Sequence, residues 1–225
     1  KYLKWRDLLL YSASLGCMNI LFYSSLGKLP QGIAVGLEFI GPLGLALLSI
    51  KQRSDYIWVA FAVLGIALMV PWHDANTEHF SYLGAACALG AGLFWAFYIY
   101  FGHRVLQQNI GMHALTIAIG LSALTLLPFG LWSNAPALLD TQYWGKALVI
   151  AILATAIPYA LDLMALKRLS KLSYGTLSSL APALAALAGL VLLHEQISFI
   201  QWIALACIMI ASIGVTLRAE KSRTQ

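Results

Sequence analysis

Residues 30–49 read PQGIAVGLEFIGPLGLALLS, a run of twenty in which Glu38 is the one ionisable side chain. An α-helix of about 20 predominantly apolar residues is long enough to cross the hydrocarbon core of a bilayer. Seven other runs of the chain have the same character. The sequence therefore predicts an all-α membrane protein with eight transmembrane helices, at 8–27, 30–49, 55–71, 81–102, 112–132, 143–166, 173–193 and 198–217.

The composition supports this class of protein. Hydrophobic residues make up 60% of the 225 and charged residues 10%, whereas soluble proteins average about 45–50% and about 25%. An ordinary cytosolic enzyme, a disordered tail and a nucleic-acid binder are thereby excluded. The sequence lacks the motifs of a serine nucleophile, a zinc site or an ATP-binding loop. We therefore expect neither an enzyme nor a cofactor or metal, and the three cysteines are interpreted as apolar packing residues.

Lysine and arginine predict the orientation. When the breaks between spans are assigned alternately to two sides, twelve of the 14 lysines and arginines fall on one side, and Lys28 and Lys146 on the other. Cytoplasmic loops carry the excess of positive charge. We therefore expect a multi-pass protein of the plasma (inner) membrane with a cytoplasmic C-terminus.

The two parts of the chain show a weak internal repeat. A shift of 140 residues aligns Lys28 with Arg168 and Pro42 with Pro182. The predicted domains are 1–75 with three spans, 76–217 with five, and a tail at 218–225. The shorter copy suggests that two further spans precede residue 1. Five spans per copy would give two copies of opposite orientation, a ten-helix architecture common in secondary transporters.

Glu38 is the first candidate for a binding site, because an ionisable group inside a membrane span is a functional hypothesis by default. Pro42 has no N–H, so the carbonyl of Glu38 should lose its helical partner. The alternative is a protonated glutamate bonded to a neighbouring helix. Pro182 is aligned with Pro42, and matched interruptions of two helices indicate a transporter site.

Asp162 is the second candidate. Thr155, Tyr159 and Asp162 share one helix face by their spacing, and Pro158 should free the carbonyl of Ala154. An interfacial salt bridge to nearby lysine or arginine is the alternative for Asp162.

Further polar and aromatic side chains could line a cavity; these are Asn19, Tyr23, Trp95 and Tyr98. For the aromatic side chains the alternative is packing in the core or a position in the aromatic belt at the membrane interface. For Asn19 the alternative is a hydrogen bond to another helix. Two faces of small residues, Gly32–Gly36 and Gly84–Ala88–Gly92, predict close helix packing. Glu195 and His194 are expected to be solvated at an external helix end.

Several stretches resemble the threonine/homoserine exporters, which belong to the EamA group of the drug/metabolite transporter superfamily. They are LGCMNILFY (15–23), PQGIAVGLEFIGP (30–42), ALGAGLFWAFYI (88–99), PYALD (158–162) and GTLSSLAPALAA (175–186). The resemblance implies ten helices in two inverted five-helix repeats around a central substrate cavity. Two departures stand out, because relatives commonly carry Glu-Pro where this chain has Ala181-Pro182, and Gly-Glu where it has His194-Glu195.

These observations lead to two hypotheses about function. The first is a secondary active exporter of small amino acids or related metabolites, coupled to protons, in which Glu38 binds a proton or the substrate's ammonium group in turn. The second is a membrane component that binds lipid or a partner and transports nothing. The expected partners are a small-molecule substrate and the lipid bilayer, with no nucleic acid. A homodimer is left open.

Overall fold

The computed structural model describes residues 5–47, 56–69, 81–106, 112–168 and 177–221. Regular structure in these ranges is helical throughout. We number the α-helices α1 (Trp5–Leu26), α2 (Gln31–Leu47), α3 (Tyr56–Met69), α4 (Tyr82–Leu106), α5 (Met112–Leu139), α6 (Trp144–Ala151), α7 (Ile157–Arg168), α8 (Ala181–Leu192) and α9 (Phe199–Lys221). A 3₁₀ turn at Thr141–Tyr143 precedes α6, and a π-helical turn at Ile152–Ala156 joins α6 to α7.

Each predicted span overlaps helix in the described part of the chain, with a turn at residues 179–180 in the seventh. Residues 48–49, 55, 70–71 and 173–176 of these spans lie outside the described residues. Among the described residues, three helices are by themselves long and apolar enough to cross a membrane, namely Trp5–Leu26, Tyr82–Gly102 and Phe199–Leu217. Four shorter helices are also apolar, at Gln31–Leu45, Tyr56–Met69, Thr116–Trp132 and Ala181–Leu192. The described part of the chain is thus helical, as expected for a membrane protein. The count of eight spans and the ten-helix inverted repeat remain predictions.

Helix α2 is the centre of the described bundle. It packs mainly against α4, α8 and α9, and its side chains Ile33, Leu37 and Leu43 are almost completely buried. Around this core, α1 packs on α4 and α5, and α3 packs on α9. A helix that is apolar on all sides is expected to be enclosed by others, and this enclosure accounts for the position of α2.

Small residues allow the helices to approach closely. A Cβ added to Gly32 would lie 2.6 Å from the Cα of Ala186 in α8, and one added to Gly36 would lie 2.9 Å from Leu205 in α9. A Cβ at Gly84 would lie 2.9 Å from that of Lys28. Both predicted faces of small residues therefore serve helix packing, in agreement with the sequence analysis.

Residue contacts define the relative directions of the helices. Gln31 of α2 lies beside Gly189 of α8, while Gly32 meets Ala186, so the two helices are antiparallel. Helices α2 and α4 run in the same direction, because Leu29 lies beside Gly84 and Glu38 beside Gly92.

The segment from α6 to α7 is the most exposed part of the described chain. Three of its leucines, Leu148, Leu153 and Leu161, are more than half exposed, as expected for a surface that faces lipid. The π-helical turn directly precedes Pro158, and the N–H of Ile157 bonds to the carbonyl of Ile152, five residues back. A proline disturbs the hydrogen-bonding pattern of the preceding turn, which explains the wider turn at this point.

Candidate functional site

Glu38 lies at the point where α2 crosses α4. Its side chain is 7% exposed, although a carboxyl group in an apolar interior is unfavourable unless it is paired or neutral. No hydrogen bond to its carboxyl oxygens is found among the described residues. The group is therefore a buried carboxyl with unused hydrogen-bonding capacity, which suits the binding of a proton or a cationic group.

The crossing itself is made backbone to backbone. A Cβ added to Gly41 would overlap the carbonyl of Gly92, and one added to Gly92 would overlap the carbonyl oxygen of Glu38. The Cα hydrogen of Gly92 therefore points at the very oxygen that Pro42 leaves without a helical N–H. Such Cα–H···O contacts recur between closely packed helices and contribute modestly.

Pro42 and Pro182 have different effects on their helices. Helix α2 continues through Pro42 to Leu47, so the predicted interruption there amounts to the loss of one hydrogen bond rather than an end of the helix. At Pro182 the chain does break, because Ser179 and Leu180 form a turn and α8 begins only at Ala181. The difference has a physical reason: proline is well tolerated in the first turn of a helix and needs compensation inside it.

The start of α8 lies at about the depth of Glu38. Pro182, Ala186 and Gly189 form a buried stripe on α8, which the buried Ser179 of the preceding turn extends. Ala186 and Gly189 face α2. Seven residues separate Gly189 from Pro182, and seven separate Gln31 from Glu38 on the antiparallel helix. The N-terminus of α8, with the partial positive charge of a helix start, is thereby placed near the level of the buried carboxyl.

Trp95 is the predicted aromatic that lies closest to Glu38 along the packed helices. Its ring meets that of Phe39, the residue after Glu38, edge to face with 5.8 Å between the ring centres. Trp95 also packs against the cluster of buried apolar side chains to which α2 and α9 both contribute. The structure therefore brings Glu38 and Trp95 into one region. The spacing of the two residues in the sequence did not predict this proximity.

Tyr98 and Tyr23 have other surroundings. Tyr98 stacks on Tyr11 of α1 with 4.7 Å between ring centres, about 9 Å along α4 from Gly92. Tyr23 is 51% exposed. Asn19 donates from Nδ2 to the carbonyl oxygen of Leu15, 2.8 Å away in its own helix. The ring of Tyr98 thus packs against α1, and the amide of Asn19 is partly satisfied within its own helix; the role of these residues in lining a cavity stays a prediction.

The second predicted group belongs to the segment from α6 to α7. Thr155 is half-buried within the π-helical turn and Pro158 is exposed. The main contacts of α6 and α7 among the described residues are with this turn and not with α2. The side chains of Tyr159 and Asp162 lie outside the described residues, so their role stays a prediction.

Glu195 was wrongly expected to be solvated. Its Oε2 accepts a hydrogen bond of 2.7 Å from the backbone N–H of Gln31, the first residue of α2. The carboxylate fits there because Gly189 has no side chain, and a Cβ at that position would overlap Oε2. The loop folds back through the bond from the N–H of Glu195 to the carbonyl of Gly189, 3.0 Å long. His194 is exposed, as expected, with a φ of 54°.

The chain is similar to known membrane transporters. The model of the EamA-like transporter family matches residues 82–217. The threonine/homoserine exporter RhtA of Escherichia coli (strain K12) is 44% identical over 216 residues, 95% of this chain and 72% of that protein. The exporter of the same name from Salmonella typhimurium (strain LT2) is 43% identical over the same shares. The uncharacterized transporter YwfM of Bacillus subtilis (strain 168) is 24% identical over 98% of this chain and 76% of its own. This chain, with its packed apolar helices and these similarities, therefore belongs to the EamA-like transporter family.

Proposed function

We propose that this protein is a secondary active exporter of small amino acids of the threonine and homoserine type, located in the inner membrane with its C-terminus in the cytoplasm. The observation that carries the proposal is the 44% identity, over 95% of the chain, to a threonine/homoserine exporter. The full architecture would be ten helices in two inverted repeats. The protein would use an ion gradient and catalyse no chemical reaction.

The chemistry near Glu38 supports an amino acid as the substrate. A zwitterion needs an acceptor for its ammonium group and a donor for its carboxylate. Glu38 is a buried carboxyl with no hydrogen-bond partner among the described residues, and the N-terminus of α8 is placed at about the same depth. Helix N-termini favour anionic groups through their free N–H donors and their dipole. Together the two would hold both charged ends of an amino acid in an otherwise apolar bundle.

Proton coupling follows from the same carboxyl. A buried carboxylate is stable only with a cationic partner or a proton. Glu38 would therefore exchange a proton for the substrate's ammonium group, so that outward movement of the amino acid is tied to inward movement of a proton. Trp95 would form part of the cavity wall. Asn19, Tyr23, Tyr98, Tyr159 and Asp162 are proposed to line the rest of the path.

The test is efflux of labelled threonine and homoserine from cells that express the protein, compared with an empty vector. We expect faster efflux, and its loss on addition of an uncoupler. Glu38→Gln should reduce this gradient-driven efflux to the level of the empty vector while the protein still inserts into the membrane. The matched control is Asp140→Asn. This substitution also replaces a carboxylate by an amide, but in the short turn before α6.

Two results would argue against the proposal. Efflux equal to the empty vector would remove these amino acids as substrates. Uncoupler-sensitive efflux that persists unchanged in Glu38→Gln would remove Glu38 as the coupling group. Substrate counterflow in liposomes also separates the exporter from the alternative of a lipid- or partner-binding component, which gives no counterflow.

A further inference from the structure

The contact between Glu195 and Gln31 joins two distant parts of the chain, 164 residues apart. Glu195 belongs to the loop between α8 and α9, and Gln31 begins α2. The bond pairs a carboxylate with a backbone N–H at a helix N-terminus, where negative charge is favoured. Directly below it, Gly32 and Ala186 bring the two helices into contact. We call this group, Gln31, Gly32, Ala186, Gly189 and Glu195, the α2–α8 seam.

The α2–α8 seam lies above the buried carboxyl of Glu38. Gln31 and Glu38 are seven residues apart, two turns of helix, and so share one face of α2 about 10 Å apart. The seam closes the end of the bundle that the distribution of lysine and arginine predicts to face outside. A substrate that leaves Glu38 for the exterior along this face would have to pass between α2 and α8.

Three features suit the α2–α8 seam to opening and closing. Where α2 and α8 touch, the contact is made by the small residues Gly32 and Ala186, so the helices can part there without disentangling large side chains. Among the described residues one hydrogen bond joins the loop to α2, and the partly exposed Glu195 could exchange that bond for water. The residue beside it, His194, has a φ of 54°, a backbone conformation that is unfavourable for residues other than glycine.

We propose that the α2–α8 seam is the external gate of this protein and that Glu195 is the latch that favours its closed state. The inference rests on the proposed function, since it assigns the gate to a transporter. It differs from a purely structural cap in one respect that can be measured. A cap stays bonded throughout transport, whereas a latch must release in every cycle.

A disulfide across the α2–α8 seam tests the release. An ideal Cβ at Gly189 lies 3.6 Å from the Cβ of Gln31, within the range of about 3.5–4.5 Å found in disulfides. The protein would carry Gln31→Cys and Gly189→Cys in a background without Cys17, Cys87 and Cys207. The covalent bond then takes the place of the hydrogen bond that the new side chain at 189 displaces.

We expect oxidation of this pair to lower efflux at least tenfold and reduction to restore it. Each single-cysteine variant, treated identically, should show no such change. Because oxidised and reduced states are compared on the same protein, poor folding of the variant does not imitate the effect. Full disulfide formation with unchanged efflux would show that the seam never opens. Failure of the disulfide to form would contradict the described contact.

Labelling tests the latch independently of transport. Val35 lies between Gln31 and Glu38 on the same face of α2 and is half-buried. The rate at which Val35→Cys reacts with a membrane-impermeant maleimide in whole cells should rise about tenfold with Glu195→Ala and less with Glu195→Gln, since a hydrogen bond to a charged group is stronger than one to a neutral group. Gly189→Ala should act like Glu195→Ala, because its Cβ would occupy the place of the carboxylate.

The control is Gly145→Ala, where no described atom lies within 4 Å of the added Cβ; it should leave the labelling rate unchanged. Equal rates in all variants would refute the latch. If the wild-type protein exports neither amino acid, the proposed substrate fails, while the labelling rates still decide whether Glu195 holds the seam closed.

Discussion

Replacement of Gly41 by alanine should be the most informative change in the helix packing. The added Cβ would overlap the carbonyl of Gly92 and would lie 2.8 Å from its Cα. These are backbone atoms of another helix, so relief requires α2 and α4 to separate rather than a side chain to rotate. Overpacking of this kind typically destabilises by about 1–3 kcal/mol, and contact with the backbone favours the upper end of that range.

The magnitude must include the gain in helix propensity. Alanine is about 1 kcal/mol better than glycine inside a helix. A penalty of about 3 kcal/mol offset by this gain leaves a net loss of about 2 kcal/mol. For a chain of this size, 1 kcal/mol corresponds to about 2–4 °C in the unfolding midpoint. We therefore expect Gly41→Ala to lower the midpoint by about 4–8 °C.

Gly44→Ala is the matched control, because it makes the same change one turn further along the same helix. No described atom lies within 4 Å of a Cβ added there. The propensity gain then stands alone, and the midpoint should rise by about 2–4 °C. Both midpoints are measured on detergent-solubilised protein by tryptophan fluorescence during heating. Shifts of the same sign and size in the two variants would refute the close crossing of α2 and α4.

Further predictions concern stability away from this crossing. His194→Gly should raise the unfolding midpoint by a few degrees. Glycine adopts the positive φ of 54° without the penalty of about 1 kcal/mol that a residue with a side chain incurs. His194→Ala keeps that penalty, so an equal rise in the alanine variant would contradict the explanation. Trp58→Phe should change the unfolding free energy by no more than about 1 kcal/mol despite the smaller ring. The indole N–H of Trp58 is buried with no hydrogen-bond partner in the described part of the chain, and removal of such a group relieves about 1–3 kcal/mol. A loss of 3 kcal/mol or more in denaturant titration would mean that the N–H is bonded.

The sequence by itself determined the helical segments and the class of protein. The length of an apolar run and the spacing of its charges are local properties, so the bounds of α1, α2 and α9 could be predicted to within a few residues. The burial of Glu38 was predictable for the same reason, because a helix apolar on every side leaves its single carboxyl no aqueous face. The faces of small residues also predicted close packing, though not which helices they would meet.

The tertiary structure decided which groups meet. Glu195 could not be assigned from its neighbours, because its partner is 164 residues away and its place depends on the missing side chain of Gly189. The stacking of Tyr98 on Tyr11 of another helix could likewise not be read from the spacing of residues along α4. Spacing along one helix cannot show the face that another helix will cover. Contacts between helices depend on their crossing positions, and these follow from the packing of the whole bundle.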